Sequence, residues 1–249
     1  MAEVQPLGEI IQKSPEEIKR TKYFSDFALR HIREMRILKK GEILGKENQD
    51  WRNVSEHCLV EAVIADVLAE AVGALEEQRK RSVQATLLHD WYKRKEVEAM
   101  KAHGGVEGHE KAASEELKLL EEYGVDDVLK KFIHSNIPDS ADSEYLLSRT
   151  LEEKIIHFAD AILRGTVITD FHERMDHQNQ NPKMIAYSES LCERFGGKSL
   201  LQFQIQVAEA EQREFEDAIG IDQGTLYDFI KTKIQERIDT NSLNPNYYE

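Results

Sequence analysis

Apolar residues recur at three- and four-residue spacing along almost the whole chain, the period of helices that bury one face. Ser14-Pro15-Glu16-Glu17 opens the first helix with a capping serine, a proline in the first turn and a glutamate at the third helical position. Ile18, Phe24, Phe27, Ala28, His31 and Ile32 carry it on until Lys39-Lys40-Gly41 ends it. A second helix is predicted from about Asn53 to Gly73, with Val60, Val63, Ile64, Val67, Leu68 and Ala71 as its buried stripe. His57 lies on that stripe, so its imidazole should point inward. Glu76 to Arg81 reads as a loop or frayed end, and a third helix covers Ser82 to about Tyr92. Gly104, Gly105 and Gly108 mark a flexible connection. Helices follow from His109 to Tyr123, stopped by Gly124, and from Asp126 to His134, just before Asn136-Ile137-Pro138.

Thr150 to Glu153 forms a second capping box and opens a long helix holding Ile155, Ile156, Phe158, Ala159, Ile162 and Leu163, with Asp160 among them. Beyond the break at Asn179 to Pro182, helices are predicted near Lys183–Phe195, Ser199–Ile219 and Gln223–Ile238. The tail from Asn241, which includes Tyr247-Tyr248, is expected to be disordered. No stretch alternates in the manner of a strand. The expected fold is all-α: a helical extension over 1–50, a core over 51–178, C-terminal helices over 179–240, and a flexible tail over 241–249.

Composition changes this picture only at the surface. Of 249 residues, 40% are apolar and 32% charged, with a formal net charge of -14. An excess of acid argues against non-specific binding to nucleic acid polymers, which needs clustered lysine and arginine. It would also repel a phosphorylated substrate unless bound cations reverse the local field. Cys58 and Cys192 form neither a disulfide framework nor a CxxC knuckle. Met1 to Gly8 shows no secretory signal, and no apolar run reaches the length of a membrane span, so a soluble cytoplasmic protein is expected. No heptad pattern argues for a particular oligomer, and a homodimer stays open.

The candidate chemistry lies in the order His57, His89-Asp90, His109, His134, Asp160. Neutral imidazole nitrogens and carboxylate oxygens are what divalent iron, manganese, cobalt, nickel or zinc accept, and six such groups nearly suffice for two ions. Asp160 sits on the inward side of an apolar helix, where an unpaired carboxylate is costly, so it needs a partner. His103 rivals His109 but lacks the helix-opening context. His157, one turn before Asp160, reads either as a supporting partner of the site or as a surface histidine. His172-Glu173 with His177 suggests a zinc protease, but the second histidine falls five residues later, not four, and the two would not share a helix face.

These residues resemble the HD superfamily of metal-dependent phosphohydrolases, whose H…HD…D set is matched by His57, His89-Asp90 and Asp160. Arg52 stands near where many members carry arginine ahead of the first ligand. The extra histidines resemble the two-metal branch, H…HD…H…H…D: Gly108-His109-Glu110-Lys111-Ala112-Ala113 looks like its fourth element, Lys93 matches HDxxK, and Glu153-Lys154 through Asp160 resembles the closing element. The likeness spans about Asn53 to Gly165. The sequence lacks the Gly-Tyr-Pro of some cyclic-dinucleotide phosphodiesterases, and Lys93-Arg94-Lys95 replaces the acidic pair of alarmone hydrolases. The spacing is most similar to that of bacterial symmetrical dinucleoside-tetraphosphate hydrolases.

The resemblance implies one or two divalent ions, with Asp90 bridging, His57, His89 and Asp160 on one and His109 and His134 on the other. It implies hydrolysis of a phosphate ester or anhydride, such as a nucleotide or dinucleotide, by metal-bound hydroxide. Asp90 and Lys93 would be catalytic, and Lys93 and Arg164 would steady the phosphoryl oxygens. The same ligand pattern also resembles HD-fold di-iron oxygenases acting on small polar substrates, and a non-catalytic signalling module is a third reading.

Overall fold

A computed structural model describes residues 14–44, 51–134 and 143–244. Asn136-Ile137-Pro138, Tyr247-Tyr248 and the side chain of Arg52 lie outside the described residues. The fold is all-α with one minor hairpin. In chain order, the helices are α1 (Pro15–Arg30), α2 (Ile32–Lys40), α3 (Arg52–Ala71), α4 (Glu76–Leu88), α5 (Lys93–His103), α6 (Gly105–Glu122), α7 (Asp127–Ile133), α8 (Ser143–Ser148) and α9 (Leu151–Ala161). A two-residue antiparallel pair, β1 (Leu163–Arg164) and β2 (Val167–Ile168), leads to α10 (Phe171–Gln178), α11 (Pro182–Ser190), α12 (Leu200–Ile219) and α13 (Leu226–Thr240). No helix among the described residues is long and apolar enough to cross a membrane.

The capping chemistry acts where the sequence placed it. Ser14 accepts from the Glu17 amide while the Glu17 carboxylate accepts from the Ser14 amide, and Thr150 and Glu153 repeat the exchange at α9. Each cap is worth about 1 kcal/mol. Helix α3 is the axis of the molecule. Beyond its predicted stripe, Ala62, Ala65 and Ala69 are also fully buried, because α4, α9 and α13 all pack against it. Small residues let those neighbours approach. Phe158 on α9 meets Phe215 of α12 edge-on at 5.4 Å between centroids and stacks with Tyr227 of α13, so the C-terminal helices join the same core.

Several expectations need correction. The predicted first helix is two, broken at His31, where φ -110 and ψ 39 leave the helical region. Glu76 to Arg81 is not a loop but the start of α4, where the Gln78 side chain accepts from the Leu75 amide and Arg79 reaches back to Asp66 at 2.5 Å. The pattern hid this because those residues are polar. The flexible connection predicted around Gly104 is in fact a tight helical hairpin between α5 and α6. Gly104 makes the turn at φ +89, and Gly108 lets the two backbones touch: a Cβ there would lie 2.5 Å from Met100 Cα. Leu163 belongs to the hairpin and not to α9, so the expectation of no strand fails at that point. The start of the expected tail is tied down: Asn241 donates to Asp26, and the Asn244 carbonyl accepts from Arg30.

Candidate metal centre

Three helices converge at the N-terminal half of α3. His57 and Glu61 stand one turn apart on α3, His89 caps the C-terminus of α4, and Asp160 comes from the last turn of α9. One donor atom from each of these four residues lies within 4.8 Å of all the others. His57 Nε2 is 3.4 Å from Asp160 Oδ1 and 3.6 Å from Glu61 Oε2, and His89 Nδ1 is 3.0 Å from Glu61 Oε2.

The backbone sets the tautomers. His57 Nδ1 lies 2.8 Å from the Gly165 carbonyl, and His89 Nδ1 lies 2.9 Å from that of Thr86. A carbonyl only accepts, so each Nδ1 carries the hydrogen, and Nε2 is the nitrogen that gives up its proton when a cation binds. The hairpin after α9 is what delivers the Gly165 carbonyl, with Gly165 itself at φ +61.

Glu61 was not foreseen. It is completely buried, and neither carboxylate oxygen accepts a hydrogen bond, leaving only its ion-pair contacts with His57 and His89. Burial pushes its pKa up, opposed by the His89 charge. A buried carboxylate without hydrogen bonds is expensive, and a cation is what ordinarily compensates it. The signal was present as a glutamate four residues after His57 on an apolar stripe. The residues therefore fit a divalent ion in chemistry and spacing: two imidazoles and two carboxylates, one of the carboxylates completely buried and without a hydrogen-bond partner.

The remaining predicted residues surround this group. Asp90 borders it, with Oδ2 3.5 Å from His89 Nε2, and faces a cavity of about 250 Å³. Burial works to raise the Asp90 pKa, but the Lys93 and His89 charges outweigh it and hold the carboxyl low. Lys93 Nζ lies 3.5 Å from Asp90 and 3.1 Å from Glu96, and the Asp90 charge drives its pKa up. His109 lies one step farther out, half-exposed, with Nδ1 2.8 Å from Glu96. His134 Nε2 is 3.8 Å from Glu116, a buried acid whose pKa burial and the Glu96 charge push up to about 8. His109 and His134 thus sit on their own carboxylates, outside the four-residue group. His103 contacts Lys111.

For His57, burial lowers the pKa, but the Asp160 hydrogen bond and the Glu61 charge more than reverse this; His89 is raised well above its usual range by Glu61 and Asp90, again against burial. Asp160 is held well below the carboxylate range because Arg174, and then His57, outweigh its burial. Arg174, from α10, donates to Asp160 Oδ1 at 2.8 Å. No local pattern could have paired residues that meet only because the hairpin folds α10 back over α9. Arg164 lines the cavity, half-exposed, and faces Glu173 at 3.4 Å.

The other histidines have different partners. His157 is buried in the core, not on the surface, with Nδ1 2.5 Å from Glu211, which Arg149 also grips. His172 faces Glu209, whereas His177 lines the cavity, so the two do not share a site.

The chain matches no protein-family model, no curated protein and no solved structure. The chemistry of the centre accordingly rests on its own residues.

Proposed function

We propose that the protein is a metal-dependent hydrolase of a phosphate ester or anhydride, built on an HD-type arrangement of His57, His89-Asp90 and Asp160. The observation that carries this reading is Glu61: a buried carboxylate without hydrogen bonds, among two imidazoles and a second carboxylate within 4.8 Å. His57, Glu61, His89 and Asp160 would hold the ion, with Asp90, the bridging ligand that the resemblance implies, bordering the group 3.5 Å from His89 Nε2. Iron, manganese, cobalt, nickel and zinc all accept this donor set. Its chemistry there would be charge neutralisation at phosphoryl oxygens and the acidification of water.

The chain's own groups supply the rest. The Gly165 and Thr86 carbonyls keep both Nε2 atoms aimed, Arg174 holds Asp160 ionised, and Lys93 keeps Asp90 ionised at the edge of the cavity. An ionised Asp90 facing that space can accept a proton or orient a water. Glu96 and His109 extend the polar wall outward from Lys93.

Metal analysis of protein purified without chelators tests this directly, alongside a phosphate-release screen across nucleotides and small phosphate esters. Bound transition metal is expected in the wild type, with metal content reduced at least tenfold in Glu61→Gln. Asp90→Ala should abolish phosphate release. A metal-free wild type that releases no phosphate after manganese or iron is added would refute the reading, as would oxygen consumption on a small polar substrate without phosphate release.

A further inference from the structure

The cavity beside the candidate centre is lined by His57, Asp90, Arg164, Arg174 and His177, with Asn53 and Gln178. Arg174 uses one terminal nitrogen on Asp160 at 2.8 Å, but its other, Nη1, is buried and has no hydrogen-bond acceptor. A buried guanidinium nitrogen left in that state costs free energy that the protein could have avoided with a neighbouring carbonyl. Arg174 lines the cavity while it holds Asp160, and its guanidinium is a planar fork suited to two acceptors, so an acceptor bound to it would lie close to the Asp160 carboxylate and hence to the centre itself. Arg164 adds a second positive charge to the lining of the same cavity. Its pairing with Glu173 is between two exposed groups at 3.4 Å, a weak contact that a bound anion can replace.

We propose that this cavity binds one tetrahedral oxyanion between Arg174 and Arg164, the phosphoryl head group of a compact phosphomonoester, and that Arg174 is the residue that fixes it beside the centre. The size argues for a single head group. About 250 Å³ falls below the roughly 300–1,000 Å³ of pockets that enclose a drug-sized ligand. A dinucleoside tetraphosphate would leave most of its length outside. In a chain of net charge -14, two arginines lining one cavity are also what local recognition of an anion requires. Asn53 and Gln178 offer amides that can donate to the remaining oxygens, while Asp90 also lines the cavity and disfavours a second anionic group. In naming the substrate class, the proposal rests on the hydrolase reading above; the binding step belongs to the arginines and needs no ion.

Calorimetric titration of inorganic phosphate into the full chain, chelator-treated and separately manganese-loaded, tests the site. Saturable binding of one phosphate is expected in both forms. Arg174→Gln should weaken it at least tenfold, about 1.4 kcal/mol, and Arg164→Gln several-fold. Arg174→Lys keeps a charge beside Asp160 but loses the fork, so it should lose affinity while melting near the wild-type temperature, which separates binding from misfolding. Absence of saturable binding, or equal binding by wild type and all three variants, would overturn the proposal. Acetate binding as tightly as phosphate at equal ionic strength would overturn the phosphoryl class. Phosphate binding through Arg174 in a protein that holds no metal would support the oxyanion site while sinking the hydrolase reading alone.

Discussion

Glu61 and Glu116 show how burial alone makes a carboxylate informative. Glu61 faces two imidazoles and is placed to meet a cation, whereas Glu116 takes the other route, keeping its proton up to about pH 8. That second choice has a measurable consequence in chelator-treated protein. Between the unfolded carboxyl value near 4.5 and about 8, the folded state holds a proton that the unfolded state has released, so stability falls as pH rises through this window and levels above it. The loss should be on the order of a few kcal/mol. Urea unfolding of wild type and Glu116→Gln at pH 5, 7 and 9 checks it. The wild type should lose stability across the series, the variant should lose much less, and parallel slopes would exclude Glu116 as the cause.

Helix α6 carries both His109 and Glu116, and its position is set by contact with α5 at Gly108. The backbones of Ala99 and Met100 lie where a side chain at 108 would sit, 2.5–2.7 Å from an added Cβ. Gly108→Ala therefore forces the two helices apart, with an expected loss of about 1–3 kcal/mol in unfolding free energy. The same displacement should separate His109 from Glu96, now 2.8 Å apart. A variant as stable as the wild type would mean that the hairpin tolerates wider spacing. Sequence periodicity could not show this contact, because glycines written close together read as a break whether they mark a mobile link or a tight crossing.

Across the whole molecule, the C-terminal helices are part of the fold that carries the centre. Arg237 of α13 meets Asp66 of α3 at 2.6 Å and also pairs with Glu70, while Arg79 of α4 holds the other Asp66 oxygen at 2.5 Å. Asp66 is almost completely buried, so removing Arg237 takes away one of the cations that offset its charge in the interior. Arg237→Ala should cost about 3 kcal/mol in global stability, read as a lower urea midpoint with an unchanged slope. A shallower slope would show instead that α13 detaches by itself. Because α3 also carries His57 and Glu61, loosening α13 should weaken metal retention along with stability.

Most of the helical framework was legible from local chemistry: the capping serine and threonine of α1 and α9, the apolar stripe of α3, and the inward placement of His57, His89 and Asp160 all follow from side-chain periodicity and hydrogen-bonding capacity near in sequence. Folding alone decided what depends on distant partners. Glu61 becomes a candidate ligand only because α4 and α9 close over α3. Arg174 reaches Asp160 only because a four-residue turn reverses the chain, and His109 and His134 are drawn to Glu96 and Glu116 by elements a linear pattern does not relate. Periodicity reports which face of a helix avoids water; which charges meet behind that face is set by how the helices cross.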